Sequence, residues 1–145
     1  MKTGKFVWMF AMLMLCAVVV SAQDQPQKTI KKVPVTATSP ASGSEMYKAY
    51  CAVCHGSDGK GNGPAASALK VPPTDLTTLS KNNGGKFPDL KISSTIQGKS
   101  NLPAHGTEEM PIWGQLFWGM SHGHSAEVQQ RVGNLTKYIE TLQAK

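Results

Sequence analysis

Cys51-Ala52-Val53-Cys54-His55-Gly56 is the stretch on which the reading of this 145-residue chain turns. Two thiols separated by two residues lie about one helical turn apart, and an imidazole follows the second thiol directly. On the N-terminal side, Ser44 is a good helix cap, and Met46, Tyr47, Tyr50 and Val53 recur with the spacing of a buried helical face. A helix is therefore expected over residues 45–54. On the C-terminal side, Gly56, Gly59, Gly61, Gly63 and Pro64 crowd into nine residues, and regular structure must stop there.

Towards the N-terminus the chain opens Met1-Lys2-Thr3-Gly4-Lys5, continues as an unbroken apolar run from Phe6 to Val20, and then reads Ser21-Ala22. A positive start, a short apolar core, and Val20 and Ala22 at the −3 and −1 positions of a cleavage site form a secretory signal over residues 1–22. The run is shorter than the ~20 residues that a membrane-spanning helix needs. The rival is an uncleaved N-terminal anchor. Cys16 follows Leu15, which is too bulky for a lipidation site, so this cysteine leaves with the signal. Residues 23–43 are rich in Gln, Lys, Thr, Ser and Pro and bury too little apolar surface to offset ordering entropy, so a flexible linker is expected. The domain is expected over residues 44–145, room for a single core.

Lys2 and Lys5 leave with residues 1–22, taking the formal charge from +6 to +4. Arg131 is the only arginine, and the lysines do not cluster among aromatics, which argues against a nucleic-acid surface. Beyond the glycine-rich loop, short helices are expected at residues 65–69 and 87–97, the latter with Leu90, Ile92 and Ile96 as its apolar positions. The C-terminus is sharper. Ser125 can cap a helix with Glu127 in its first turn, and Val128, Val132, Leu135, Ile139 and Leu142 repeat at steps of four and three. That pattern predicts an amphipathic helix over residues 126–143. No long stretch alternates like a strand. About 100 residues with few helices and many loops make a thin core, which a large apolar cofactor would fill.

Processing leaves Cys51 and Cys54 as the only cysteines in an oxidising compartment, where the pair must be oxidised, metal-bound or otherwise modified. A redox disulfide of the thioredoxin kind belongs after a strand, and none precedes Cys51. A zinc site needs four ligands, and His55, His105, His122 and His124 do not supply a second paired spacing. Cys-x-x-Cys-His is the c-type haem attachment pattern: both sulfurs reach the haem vinyl groups from one turn, and the adjacent His55 reaches the iron.

Residues 44–145 resemble the class I monohaem cytochromes c. The resemblance rests on Cys51-Ala52-Val53-Cys54-His55-Gly56, Gly59-Lys60-Gly61-Asn62-Gly63-Pro64, Pro72-Pro73-Thr74-Asp75-Leu76, Ile96-Gln97-Gly98 and Met110-Pro111-Ile112-Trp113-Gly114. It implies an all-α fold of few helices and long loops wrapped around one covalent haem c. It also implies a crossing of the region from Gly43 to Tyr50 against Tyr138, a Pro64 carbonyl accepting from the His55 ring, and Met110 as second iron ligand. Met46 and Met120 compete with Met110, as do His105 and His122 for a bis-histidine iron. Met46 lies in the haem helix on the wrong side. Trp113 is expected on the haem or at a propionate, with a plain core role as the alternative.

The function implied is single-electron transfer in a respiratory or dehydrogenase-linked chain, without a catalytic residue. The partners implied are a dehydrogenase, a quinol-oxidising complex or a terminal oxidase. The alternative is a haem sensor or oxidoreductase subunit with a labile or open sixth iron position. The expected form is a periplasmic monomer, membrane-associated only through an uncleaved N-terminal segment or a membrane complex.

Overall fold

The computed structural model describes residues 34–99 and 112–144, and every regular element among them is helical. The signal and residues 23–33 of the linker lie outside the described residues. Helix α1 (Gly43–Met46) runs through a π-helical turn (Tyr47–Cys51) into α2 (Ala52–His55). Three 3₁₀ turns follow, at Ala66–Ala68, Leu76–Thr78 and Lys81–Asn83, and then α3 (Asp89–Ile96), α4 (Trp113–Met120) and α5 (Ser125–Thr141). Among the described residues no helix is long and apolar enough to cross a membrane.

The first helix starts earlier than expected because Ser42, rather than Ser44, is the cap: its hydroxyl accepts from the Glu45 N–H at 3.2 Å. The π turn inserts extra backbone just before the cysteine motif, and Tyr47, Tyr50 and Cys51 within it are all buried. At the far end Gly56, at φ +80°, donates its N–H to Ala52. The carbonyls of Val53, Cys54 and His55 would be left without partners at the helix terminus. The glycine loop supplies them, with N–H groups of Ala65 at 2.9 Å, Gly63 at 3.0 Å and Gly61 at 2.8 Å. A Cβ on Gly63 would stand 2.5 Å from the Ala52 and Val53 carbonyl oxygens, so only glycine allows this approach.

Helix α5 buries Val128, Val132, Leu135 and Ile139, as its periodicity predicts. It begins at Ser125 with His124 in the cap position and no side-chain cap bond; His124 Nδ1 instead donates to the Ser121 carbonyl at 2.7 Å. The implied crossing is present. Gly43 lies directly on the Asn134 backbone and the Tyr138 side chain, and the Tyr47 and Tyr138 rings stand 5.2 Å apart.

In α3 the buried positions are Ile92, Thr95 and Ile96, while Leu90, expected inside, is 85% exposed. The short helix expected at residues 65–69 is the 3₁₀ turn alone. Helix α4 was not expected; Trp113 and Phe117, one turn apart, bury against Tyr50.

Contacts with the domain begin before Ser44. The Tyr50 hydroxyl donates to the Thr36 carbonyl at 2.7 Å and accepts from the Thr38 hydroxyl at 2.8 Å. Arg131 donates to the Thr38 carbonyl at 2.9 Å, and Asn134 to the Pro40 carbonyl at 2.9 Å. Residues 36–43, assigned by composition to the linker, are therefore a strap packed on the domain. Their polar backbone is satisfied by side chains of α5 and the π turn.

Candidate cofactor site

Cys51, Cys54 and His55 stand on a single turn at the junction of the π segment and α2. Both thiols are free. Before attachment, burial, and then the neighbouring Cys54, push the Cys51 thiol up to about 12, and burial also raises Cys54. Among the described residues no group of three His, Cys, Asp or Glu side chains could hold a metal, which leaves the zinc reading without ligands there.

His55 is 7% exposed. Its Nδ1 lies 3.0 Å from the carbonyl oxygen of Thr74. A carbonyl can only accept, so Nδ1 carries the proton and Nε2 keeps its lone pair. Burial lowers the His55 pKa, partly opposed by the Thr74 bond; the ring is thus held neutral, the form that binds a metal. The carbonyl implied by the resemblance was that of Pro64. Here Pro64 is exposed, and the Thr74 carbonyl takes the ring's single Nδ1 proton.

Thr74 is held from several directions. Gly61 packs against the Pro73 carbonyl, and the Leu76 N–H donates to Gly59 at 2.7 Å. The Asp75 carboxylate accepts from the Thr77 N–H and hydroxyl at 2.8 and 2.6 Å, bonds that hold it below the usual carboxylate range. From the C-terminus, Gln143 donates to the Leu76 carbonyl at 2.7 Å.

Cys51 and His55 open into a cavity of about 270 Å³. Leu76, Leu79, Ile92, Ile96, Trp113, Leu135 and Ile139 give it apolar walls, and Thr74, Lys91 and Thr95 are the other residues that line it. Trp113 is buried, lines the cavity and stacks on Tyr50 with ring centroids 4.9 Å apart. A shallower groove of about 370 Å³, between Gln97 and Gln129, contains no cysteine or histidine.

Met110 and His105 lie outside the described residues. Of their rivals, Met46 is fully buried in the core. Met120 places its sulfur 3.6 Å from the Tyr50 hydroxyl oxygen, and His122 is exposed at φ 48° in the turn between α4 and α5. None of the three lines the cavity.

Two cysteines and a neutral imidazole on one turn, beside an apolar cavity and with every regular element of the described residues helical, define the c-type cytochrome class. The family described as cytochrome c oxidase, cbb3-type, subunit III matches residues 38–117, and the chain belongs to it. No curated protein matches the chain, and no solved structure does. The cofactor is covalently bound haem c with its iron. The site's residues fit it: Cys51 and Cys54 would hold it by adding their S–H bonds across its vinyl groups as thioethers, and His55 would bind its iron through Nε2. The bound iron supplies one-electron oxidation and reduction. The chain's part is to hold His55 neutral and oriented and to keep water from the cavity walls.

Proposed function

We propose that the mature chain is a monomeric periplasmic carrier of single electrons, with His55 and Met110 as axial ligands and no catalytic side chain of its own. Its partners on this reading are a dehydrogenase or quinol-oxidising complex as donor and a terminal oxidase as acceptor; the family's description, an oxidase subunit, supports the acceptor. The observation that carries the reading is the His55 imidazole, its Nδ1–H donated to the Thr74 carbonyl and its Nε2 lone pair left for a metal, directly after Cys54. Thioether ligation opposite it favours ferrous iron and closes the sixth position, so the group exchanges electrons and binds little else.

The chain is to be expressed with its signal in a host that matures cytochromes c, and its ferrous spectrum recorded with and without carbon monoxide. A haem-staining band on a denaturing gel and an unchanged spectrum under carbon monoxide are expected. A large shift would point to an open iron and to a sensor or oxidoreductase instead, and absence of covalent haem would sink the reading altogether.

A further inference from the structure

Lys91 stands out among the residues lining the cavity. It is the one residue there whose side chain carries a permanent positive charge, and it is otherwise exposed, so it stands at the rim, where a long side chain can cover apolar surface and keep its charge in water. The chain itself gives Lys91 little reason to be there. It is the third residue of α3, in the first turn, where the helix dipole disfavours a cation. Asp89, two positions earlier, lies on a different face. The ion pairs formed among the described residues, Lys60 with Asp58 and Arg131 with Glu127, do not include it. Thr95, one turn on, lines the same cavity, so this side of α3 faces the site.

What the cavity receives explains the charge. Haem brings two carboxylates, and its iron centre loses one positive charge on reduction. A nearby ammonium offsets carboxylate charge and favours the added electron. We propose that Lys91 is the positioning and tuning cation of the haem: it pairs with a haem carboxylate at the cavity edge and raises the reduction potential. This rests on the haem reading above.

Equilibrium redox titration of the haem-loaded protein tests it, with Lys91→Gln, Lys91→Arg and Lys91→Glu compared with wild type and with Lys137→Gln, an exposed lysine of α5 outside the cavity. Lys91→Gln should lower the equilibrium constant for reduction at least about threefold, which is about 28 mV at 59 mV per tenfold for one electron. Lys91→Glu should lower it further, Lys91→Arg should restore it to within about twofold of wild type, and Lys137→Gln should leave it unchanged. The assignment is overturned if Lys91→Gln behaves like the Lys137 control, or if Lys91→Arg falls as far as Lys91→Gln, which would mark a packing effect. A wild-type chain with no covalent haem overturns both readings; a normal one-electron couple with an indifferent Lys91→Gln overturns this one alone.

Discussion

At His55 a single proton on Nδ1 decides what the other nitrogen can do, and the residue that fixes it is Thr74 through its backbone. Any residue at position 74 offers a carbonyl, so nothing in a side-chain pattern marks that contact. Pro72-Pro73-Thr74-Asp75-Leu76 entered only as part of the resemblance, and which carbonyl meets the ring depends on how Gly59 and Gly61 seat that segment. Cys51, Cys54 and His55 were legible because their chemistry lies in the side chains and their spacing matches one helical turn. For Met110 the sequence still carries the argument. Pro111 restricts Met110 to an extended backbone, which suits a loop presenting a thioether, whereas the Met120 sulfur already lies against Tyr50. Met110→Ala should lower the reduction equilibrium by more than tenfold, about 59 mV, admit carbon monoxide and erase the weak ferric band of sulfur-ligated iron. Met120→Ala should keep all three near wild type. A reversed pattern in spectroelectrochemical titration would give the ligand to Met120.

Helix α5 was readable as an element because its apolar residues recur at steps of four and three, and the structure buries that stripe. Helix α4 was not, since Trp113-Gly114-Gln115-Leu116-Phe117-Trp118-Gly119-Met120 carries no polar stripe and two glycines that disfavour a helix. Packing decides there: Trp113 and Phe117 close on Tyr50, and Gly114 comes so close to Gln97 that a Cβ would lie 2.6 Å from its carbonyl oxygen. The π turn was equally hidden, because Met46, Tyr47, Tyr50 and Val53 suit an α-helix, yet Val53 is exposed and Cys51 buried. The crossing of α1 and α5 gives a direct test. Gly43→Ala would drive a methyl into Asn134 and Tyr138, and overpacking of this kind costs roughly 1–3 kcal/mol; denaturant unfolding followed by far-ultraviolet circular dichroism should show that loss. Within α5, hydrogen bonds from Arg131 and then Ser121 hold the Glu127 carboxyl below its usual range. A group depressed on folding stabilises the protein above its unfolded pKa, about 4.3 for glutamate, and that stability is lost as pH falls through the folded value. The thermal midpoint should therefore decline through the acid range, and Glu127→Gln should flatten the decline. Parallel curves for the two proteins would place the acid sensitivity elsewhere.

Across the whole molecule, the haem cavity and the strap meet in one aromatic cluster: Trp113 lines the cavity, Tyr50 stacks on Trp113, and Tyr50 is hydrogen-bonded to Thr36 and Thr38. Composition alone assigned those threonines to a tether because they bring little apolar surface. What they bring is backbone oxygen. Arg131 is only 3% exposed, and a buried guanidinium has five donors to satisfy; Glu127 takes two of its contacts, and the Thr38 carbonyl another. Phe117 lies under it, 6.0 Å from the guanidinium carbon. Nothing in Gln129-Gln130-Arg131-Val132 marks this arginine as buried, so the need for a polar segment to come to it was not legible. Two truncations of the mature protein separate strap from tether. Deleting residues 23–33 should leave the haem spectrum and unfolding midpoint unchanged. Deleting residues 23–42 removes the acceptors of Tyr50, Arg131 and Asn134 and the Ser42 cap. At about 1 kcal/mol for each neutral hydrogen bond, somewhat more for the charged one and about 1 for the cap, the loss should be about 4 kcal/mol, reduced where water replaces the lost carbonyls. The Arg131 share can be isolated by combining the longer deletion with Arg131→Met: if the guanidinium is what the strap satisfies, the second change costs less in the truncated protein than in the intact one. Strictly additive losses would mean that the strap and Arg131 stabilise the domain independently, and an unchanged midpoint after the longer deletion would return residues 36–42 to the tether.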